Sequence, residues 1–132
     1  MAKVADLTIV TVVGPEVVTG STRLKAGTAQ KLVLNMLSTA TMIRLGMTYS
    51  NWMINVNMTN AKLNERGVQI LREILGVNAE EAKKLSDASG GKLKLAVIMG
   101  TLGCSRKEAE KHLSEGGGNL RKVLGHLGSG RE

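Results

Sequence analysis

The chain has 132 residues, 42% of them hydrophobic and 22% charged, with a formal net charge of +7. It holds one Cys, one Trp, one Tyr and no Phe. These figures bound the chain to one globular domain or two very small ones, exclude an internal disulfide, and require a core of aliphatic side chains and Met.

The basic excess raises the question of a nucleic-acid or membrane partner. It is spread, however, at about +3 before residue 50 and +4 after it, with acids interleaved. Almost no aromatic residue is present to stack on bases. A solvated surface is the better reading, and neither partner is expected. A single Cys, Cys104, fits a reducing compartment and reads as a small buried hydrophobe. No leader pattern and no run of 18 apolar residues is visible, so a cytoplasmic location is expected.

Ala5 to Val13 (ADLTIVTVV) is β-branched and almost continuously apolar, which predicts a strand of a parallel sheet. No other segment reads as its neighbour. Residues 14 to 31 (GPEVVTGSTRLKAGTAQK) then pack a turn signal, a carboxylate, hydroxyls and cations into a short stretch. Hydroxyls and backbone N–H groups at a helix start, with cations one turn further in, are suited to holding phosphate. From there Leu24, Ala29, Leu32, Val33, Met36, Leu37, Ala40 and Ile43 recur at helical spacing, which predicts a helix over about 21–45 with Gly46 as its stop. Its broad apolar stripe belongs against other protein. A second helix is predicted over about 51–75, with Gly67 inside it, which should weaken it by about 1 kcal/mol relative to Ala.

The last third is an internal repeat. Residues 77–82 (VNAEEA) align with 104–109 (CSRKEA) at a constant offset of 27. Each unit has a cap residue (Asn78, Ser105) with Glu three places on (Glu81, Glu108), the signature of a capping box. Each continues through a Gly-Gly stop. Short helices are predicted near 79–88, 92–101, 106–115 and 119–127, and a disordered tail over 128–132. Leu85, Leu93, Ala96, Val97, Leu102, Ala109, Leu113, Leu120, Val123 and Leu124 are the predicted core of this bundle.

GPE, then GSTRLK, then a small-residue run ending in Lys31 resemble the signature of the N-acetylmuramic acid 6-phosphate etherases and the related glucokinase regulatory proteins. The likeness continues through LVLNMLSTATMIRLG at 32–46 and TNAKL at 59–63. The C-terminal repeat resembles the small ubiquitin-associated-like bundle that ends bacterial members. The resemblance implies a mainly α chain. Residues 1–50 would be the last strand and helices of a sugar isomerase-type αβα domain, 51–76 a connecting helix, and 77–127 the ubiquitin-associated-like bundle. The orphan strand at 5–13 would have its partners in the longer family sequence.

The family reaction is that of a lyase. It cleaves the lactyl ether of N-acetylmuramic acid 6-phosphate to N-acetylglucosamine 6-phosphate and D-lactate, in cell-wall sugar recycling. It uses a glutamate pair and no metal or other cofactor. Both glutamates lie in family sequence that this segment does not match, and Glu16 is not one of them. The resemblance thus implies a phosphosugar-binding segment of a dimeric enzyme, inactive alone, with no catalytic residue of its own.

By that resemblance Asn60 and Lys62 contact the phosphosugar. By spacing alone they are a helix cap and a solvated lysine. Ser21, Thr22 and Lys25, with Arg23, either line the phosphosugar cleft or dimer seam, or serve as a cap and surface ion pairs. Glu16 either orients substrate or pairs with Arg23 or Lys25. Departures from the family pattern are Asn55 for a common Asp, Gly67 for Ala, Met47 for Lys and Trp52 for Leu. His112 and His126 lack a second ligand by spacing, and no metal site is expected.

Two other classes compete with the etherase reading. A terminal bundle with Gly-Gly turns could dock a partner protein. Residues 101–113 (TLGCSRKEAEKHL) faintly resemble a helix-turn-helix, but Glu108, Glu110 and Glu115 would meet phosphates badly.

Overall fold

The structure is a computed structural model and describes residues 4–125. The chain divides into two compact units, Met1–Thr41 and Met42–Glu132. It is mainly helical, with six helices and one two-stranded sheet among the described residues.

In the first unit, residues 5–13 form no strand. The apolar run predicted one, but a strand needs a ladder partner, and none is present among the described residues. The segment is instead irregular, with Leu7, Ile9, Val10 and Val12 exposed. Helix α1 spans Lys25–Arg44, starting four residues later than the periodicity suggested. Residues 21–24 are spent on turns, with Thr22 N–H donating to Gly20 C=O at 3.1 Å and Leu24 N–H to Ser21 C=O at 3.3 Å.

No residue of α1 is buried. Leu32, Met36 and Leu37 of its predicted stripe are roughly half exposed, with Met36 at 62%. The helix ends in a Schellman motif. Gly46 N–H donates to Ile43 C=O and Met47 N–H to Met42 C=O, both at 3.0 Å, with Gly46 at φ 69°.

The second unit begins within the last turn of α1 and continues with a hairpin of β1 (Thr48–Tyr49) and β2 (Trp52–Met53), paired antiparallel with Tyr49 opposite Trp52. The helix predicted from residue 51 therefore begins ten residues later, and α2 spans Ala61–Leu75. The intervening stretch alternates. Ile54 and Met58 are buried and Val56 half-buried, while Asn55 and Asn57 are exposed. That is a strand's period of two, which a helical reading of Trp52, Met53 and Val56 overrode. The stretch is pinned by Met58 N–H to Gly91 C=O at 2.9 Å and a bridge between Asn57 and Lys92.

Helices α3 (Ala79–Ala88), α4 (Leu93–Leu102), α5 (Arg106–Glu115) and α6 (Leu120–Gly125) follow the repeat closely. Both capping boxes form, Asn78 with Glu81 and Ser105 with Glu108. The equivalent alanines of the two units, Ala82 and Ala109, are both fully buried. Helix α4 buries Leu93, Leu95, Ala96, Val97 and Ile98, so it is apolar nearly all round and sits at the centre of the bundle. Of the predicted core, Leu93, Ala96, Val97, Ala109, Leu120 and Leu124 are buried, and Leu85, Leu102, Leu113 and Val123 pack partly buried against them. The predicted tail at 128–132, like His126, lies outside the described residues.

Candidate functional site

The candidate residues fall into two groups, one in each unit. In the first, the loop from Gly14 to Leu24 brings Glu16 back to the start of α1. Glu16 Oε2 accepts from Lys25 N–H and Oε1 from Ala26 N–H, both at 2.9 Å. A helix start has unpaired N–H donors and a partial positive charge, and a carboxylate satisfies both. The bond from Ala26 and then that from Lys25 hold the Glu16 pKa below its ordinary value, with the Lys25 ammonium adding to the effect.

Glu16 thus meets Lys25 through its backbone, and among the described residues it forms no ion pair with Arg23 or Lys25. A phosphate at these two N–H groups would have to displace it. Ser21 and Thr22 lie in the turn before the helix, where Ser21 N–H donates to Val18 C=O at 3.0 Å and Gly27 N–H donates to Thr22 C=O at 2.8 Å. Arg23 and Lys25 border an open hollow of roughly 490 Å³ with Leu24, Thr28, Ala29 and Leu32, and Ser21 and Thr22 do not line it.

In the second unit Asn60 is the N-cap of α2, its Oδ1 accepting from Leu63 N–H at 2.9 Å. That occupies the amide oxygen and leaves its Nδ2 without a protein partner among the described residues. Lys62 is the second residue of the helix and is exposed. It forms no ion pair among the described residues.

Cys104 is half-buried and packs against the core. Burial, followed by the Glu108 charge, pushes its thiol pKa up, the opposite of what a nucleophile needs. His112 Nδ1 lies 3.9 Å from Glu115 Oε2. No group of three or more His, Cys, Asp or Glu residues that could hold a metal ion occurs among the described residues. Among the described residues, no helix is long and apolar enough to cross a membrane.

One feature of the bundle was not anticipated from sequence. A cavity of about 380 Å³ opens between the extended stretch 54–57, the start of α4 and helix α5. Its polar residues include Lys94 from α4, whose pKa is lowered by burial. The period-two stretch around Asn55 and Asn57 was the available signal, since such a stretch packs flat against helices and leaves grooves beside it.

Comparison with known proteins decides the relationship. The chain is 53% identical to the N-acetylmuramic acid 6-phosphate etherase of Klebsiella aerogenes, over 94% of its own length and 41% of that protein. It is 48% identical to the etherase of Geobacillus thermodenitrificans, over 94% of its length and 42% of that protein. The etherase of Alkaliphilus metalliredigens matches the whole chain at 48% identity, over 43% of that protein. The chain is homologous to part of these etherases. It spans about two fifths of the length of the curated relatives it matches. No protein-family model matches it.

Proposed function

We propose that the chain is the C-terminal part of an N-acetylmuramic acid 6-phosphate etherase. That enzyme is a cytoplasmic carbon–oxygen lyase that cleaves the lactyl ether of its phosphosugar to N-acetylglucosamine 6-phosphate and D-lactate in cell-wall sugar recycling. The observation that carries this reading is the 53% identity to a curated etherase over 94% of the chain. In it, residues 1–50 end a sugar isomerase-type αβα domain, 51–76 connect, and 77–127 form a ubiquitin-associated-like bundle. The exposed apolar run at 5–13 and the unburied stripe of α1 support a role against further protein, in the rest of that domain and in a homodimer.

The segment supplies binding contacts and no catalytic residue. Glu16 already uses both carboxylate oxygens on the α1 backbone, which supports a positioning duty over acid–base chemistry. Asn60 and Lys62 are the leading phosphosugar contacts. The cap duty of Asn60 leaves its amide N–H₂ available, and the Lys62 ammonium is exposed beside the N-terminal end of α2. An amide and an ammonium two residues apart can share one phosphosugar. Ser21, Thr22 and Lys25 contribute at the cleft or the dimer seam.

The test is an amide NMR titration of the isotope-labelled chain with N-acetylglucosamine 6-phosphate. Shifts at 21–25 and 60–62, lost in Lys62→Ala, are expected. A folded spectrum that does not move, or binding unaltered by Lys62→Ala, refutes the binding assignment.

A further inference from the structure

The bundle cavity plays no part in the reading above. It lies wholly within the second unit and is open to solvent, with a volume of about 380 Å³. Val56 and Leu113 give it accessible apolar walls, with Ile54 and Leu93 buried behind them. Asn55, Asn57 and Ser114 line it as well, and its charged residues are Lys92, Lys94 and Glu110.

Lys94 is held in place. Its Nζ donates to Gly118 C=O at 2.8 Å. That carbonyl belongs to a turn in which Gly117 and Gly118 both take left-handed backbone, at φ 62° and 75°. An ammonium has three donors, and this bond uses one. Burial depresses the Lys94 pKa, so a nearby anion would offset lost solvation. Glu110 is engaged on its own helix, where Arg106 Nε donates to its Oε1 at 3.2 Å. Arg121, the counterpart of Lys94 one repeat later, is exposed and does not line the cavity. The half-buried cation is therefore particular to this place and does not simply follow from the duplication.

We propose that this cavity binds a small amphiphilic monocarboxylate, its apolar chain against Val56 and Leu113 and its carboxylate on Lys94 and Lys92. With Glu110 already paired to Arg106, Lys92 and Lys94 leave the cavity positive, which suits a carboxylate. A second negative charge on the ligand would meet Glu110. The apolar surface of Val56 and Leu113 favours a ligand with an apolar part over a wholly polar one.

The probe is hexanoate, titrated into the labelled full chain, with acetate and hexanol as its two halves. Hexanoate is expected to give saturable shifts at the amides of Asn55, Asn57, Lys94 and Ser114, with acetate and hexanol each at least about tenfold weaker. Lys94→Met keeps the aliphatic stem and removes the charge. It should weaken hexanoate by about tenfold or more and leave hexanol unchanged. Glu110→Gln should tighten hexanoate. If Lys94→Met disturbs the free spectrum, Glu110→Gln decides. Hexanol binding as tightly as hexanoate overturns the proposal. So do shifts spread along α1 with none at the cavity, and cavity shifts indifferent to the interpretable variants.

Discussion

Gly67→Ala should destabilise the second unit, although it improves the helix. Gly67 sits in the interior of α2, where Ala is intrinsically better by about 1 kcal/mol. It is also buried, and a Cβ there would fall well inside contact distance of Met58 Sδ and 2.8 Å from Met58 Cγ. Met58 has little room to yield. It is 6% exposed, its Sδ accepts from Ser86 Oγ at 3.5 Å, and its own N–H is fixed to Gly91 C=O. Overpacking at such a site costs roughly 1–3 kcal/mol. The net loss is then about 0–2 kcal/mol, and at a mid-range cost of about 2 kcal/mol the thermal midpoint falls by about 4–8 °C for a unit of this size.

The decisive version is a double-mutant cycle followed by thermal or urea unfolding. Met58→Ala alone should cost about 2–5 kcal/mol by emptying the notch. In that background Gly67→Ala should become stabilising, by up to about 1 kcal/mol. Equal effects of Gly67→Ala in both backgrounds would refute the coupling, because the helix term would then stand alone. A higher midpoint for Gly67→Ala in the otherwise unchanged chain would refute it as well.

Two further outcomes are expected. The Glu16 cap should be acid-labile. Its pKa is lowered in the fold, so its stabilisation is complete above the unfolded glutamate pKa of about 4.3 and is lost as pH falls through the folded value. The amide shifts of Lys25 and Ala26 should titrate with a midpoint below that figure, and Glu16→Gln should remove the transition. The two capping boxes should also respond unequally. Asn78 Oδ1 takes Glu81 N–H at 2.9 Å, whereas Ser105 Oγ takes Glu108 N–H at 3.4 Å. Asn78→Ala should therefore cost about 1 kcal/mol in urea unfolding, and Ser105→Ala, which loses the weaker cap together with the 2.7 Å bond from Ser105 Oγ to Glu108, at least as much. Glu108, which accepts from both Ser105 N–H and Oγ, should matter more than Glu81, whose bond to Asn78 N–H is 3.4 Å.

The bundle was legible because its signals are local. A cap residue and a glutamate three places on fix a helix start through bonds within one turn, so Asn78–Glu81 and Ser105–Glu108 could be placed to the residue. Residues 51–60 read as helix because apolar residues at 52, 53 and 56 satisfy a helical spacing, while Ile54, Val56 and Met58 satisfy a strand's. What decided between them is nonlocal. Met58 bonds Gly91, and Asn57 bridges Lys92, contacts that no window around residue 55 contains. The cost of Gly67 was legible as helix propensity, and its reason was not, since Met58 lies nine residues back and reaches it only in the folded unit.

The first unit shows the other limit of pattern reading. Periodicity reports which face of an element is apolar and says nothing about what covers it. Ala5 to Val13 and α1 carry the composition of interior elements, yet the segment forms no strand and no residue of the helix is fully buried. A core position in the bundle and an exposed position on α1 look alike in sequence. Leu93 is fully buried and Leu34 is 58% exposed, though both sit among aliphatic neighbours. Such exposure is costly at about 25 cal/mol per Å² of apolar surface, so a covering surface that fits α1 would be bound with a substantial driving force. Under the proposed etherase reading, the remainder of the longer enzyme would supply that surface.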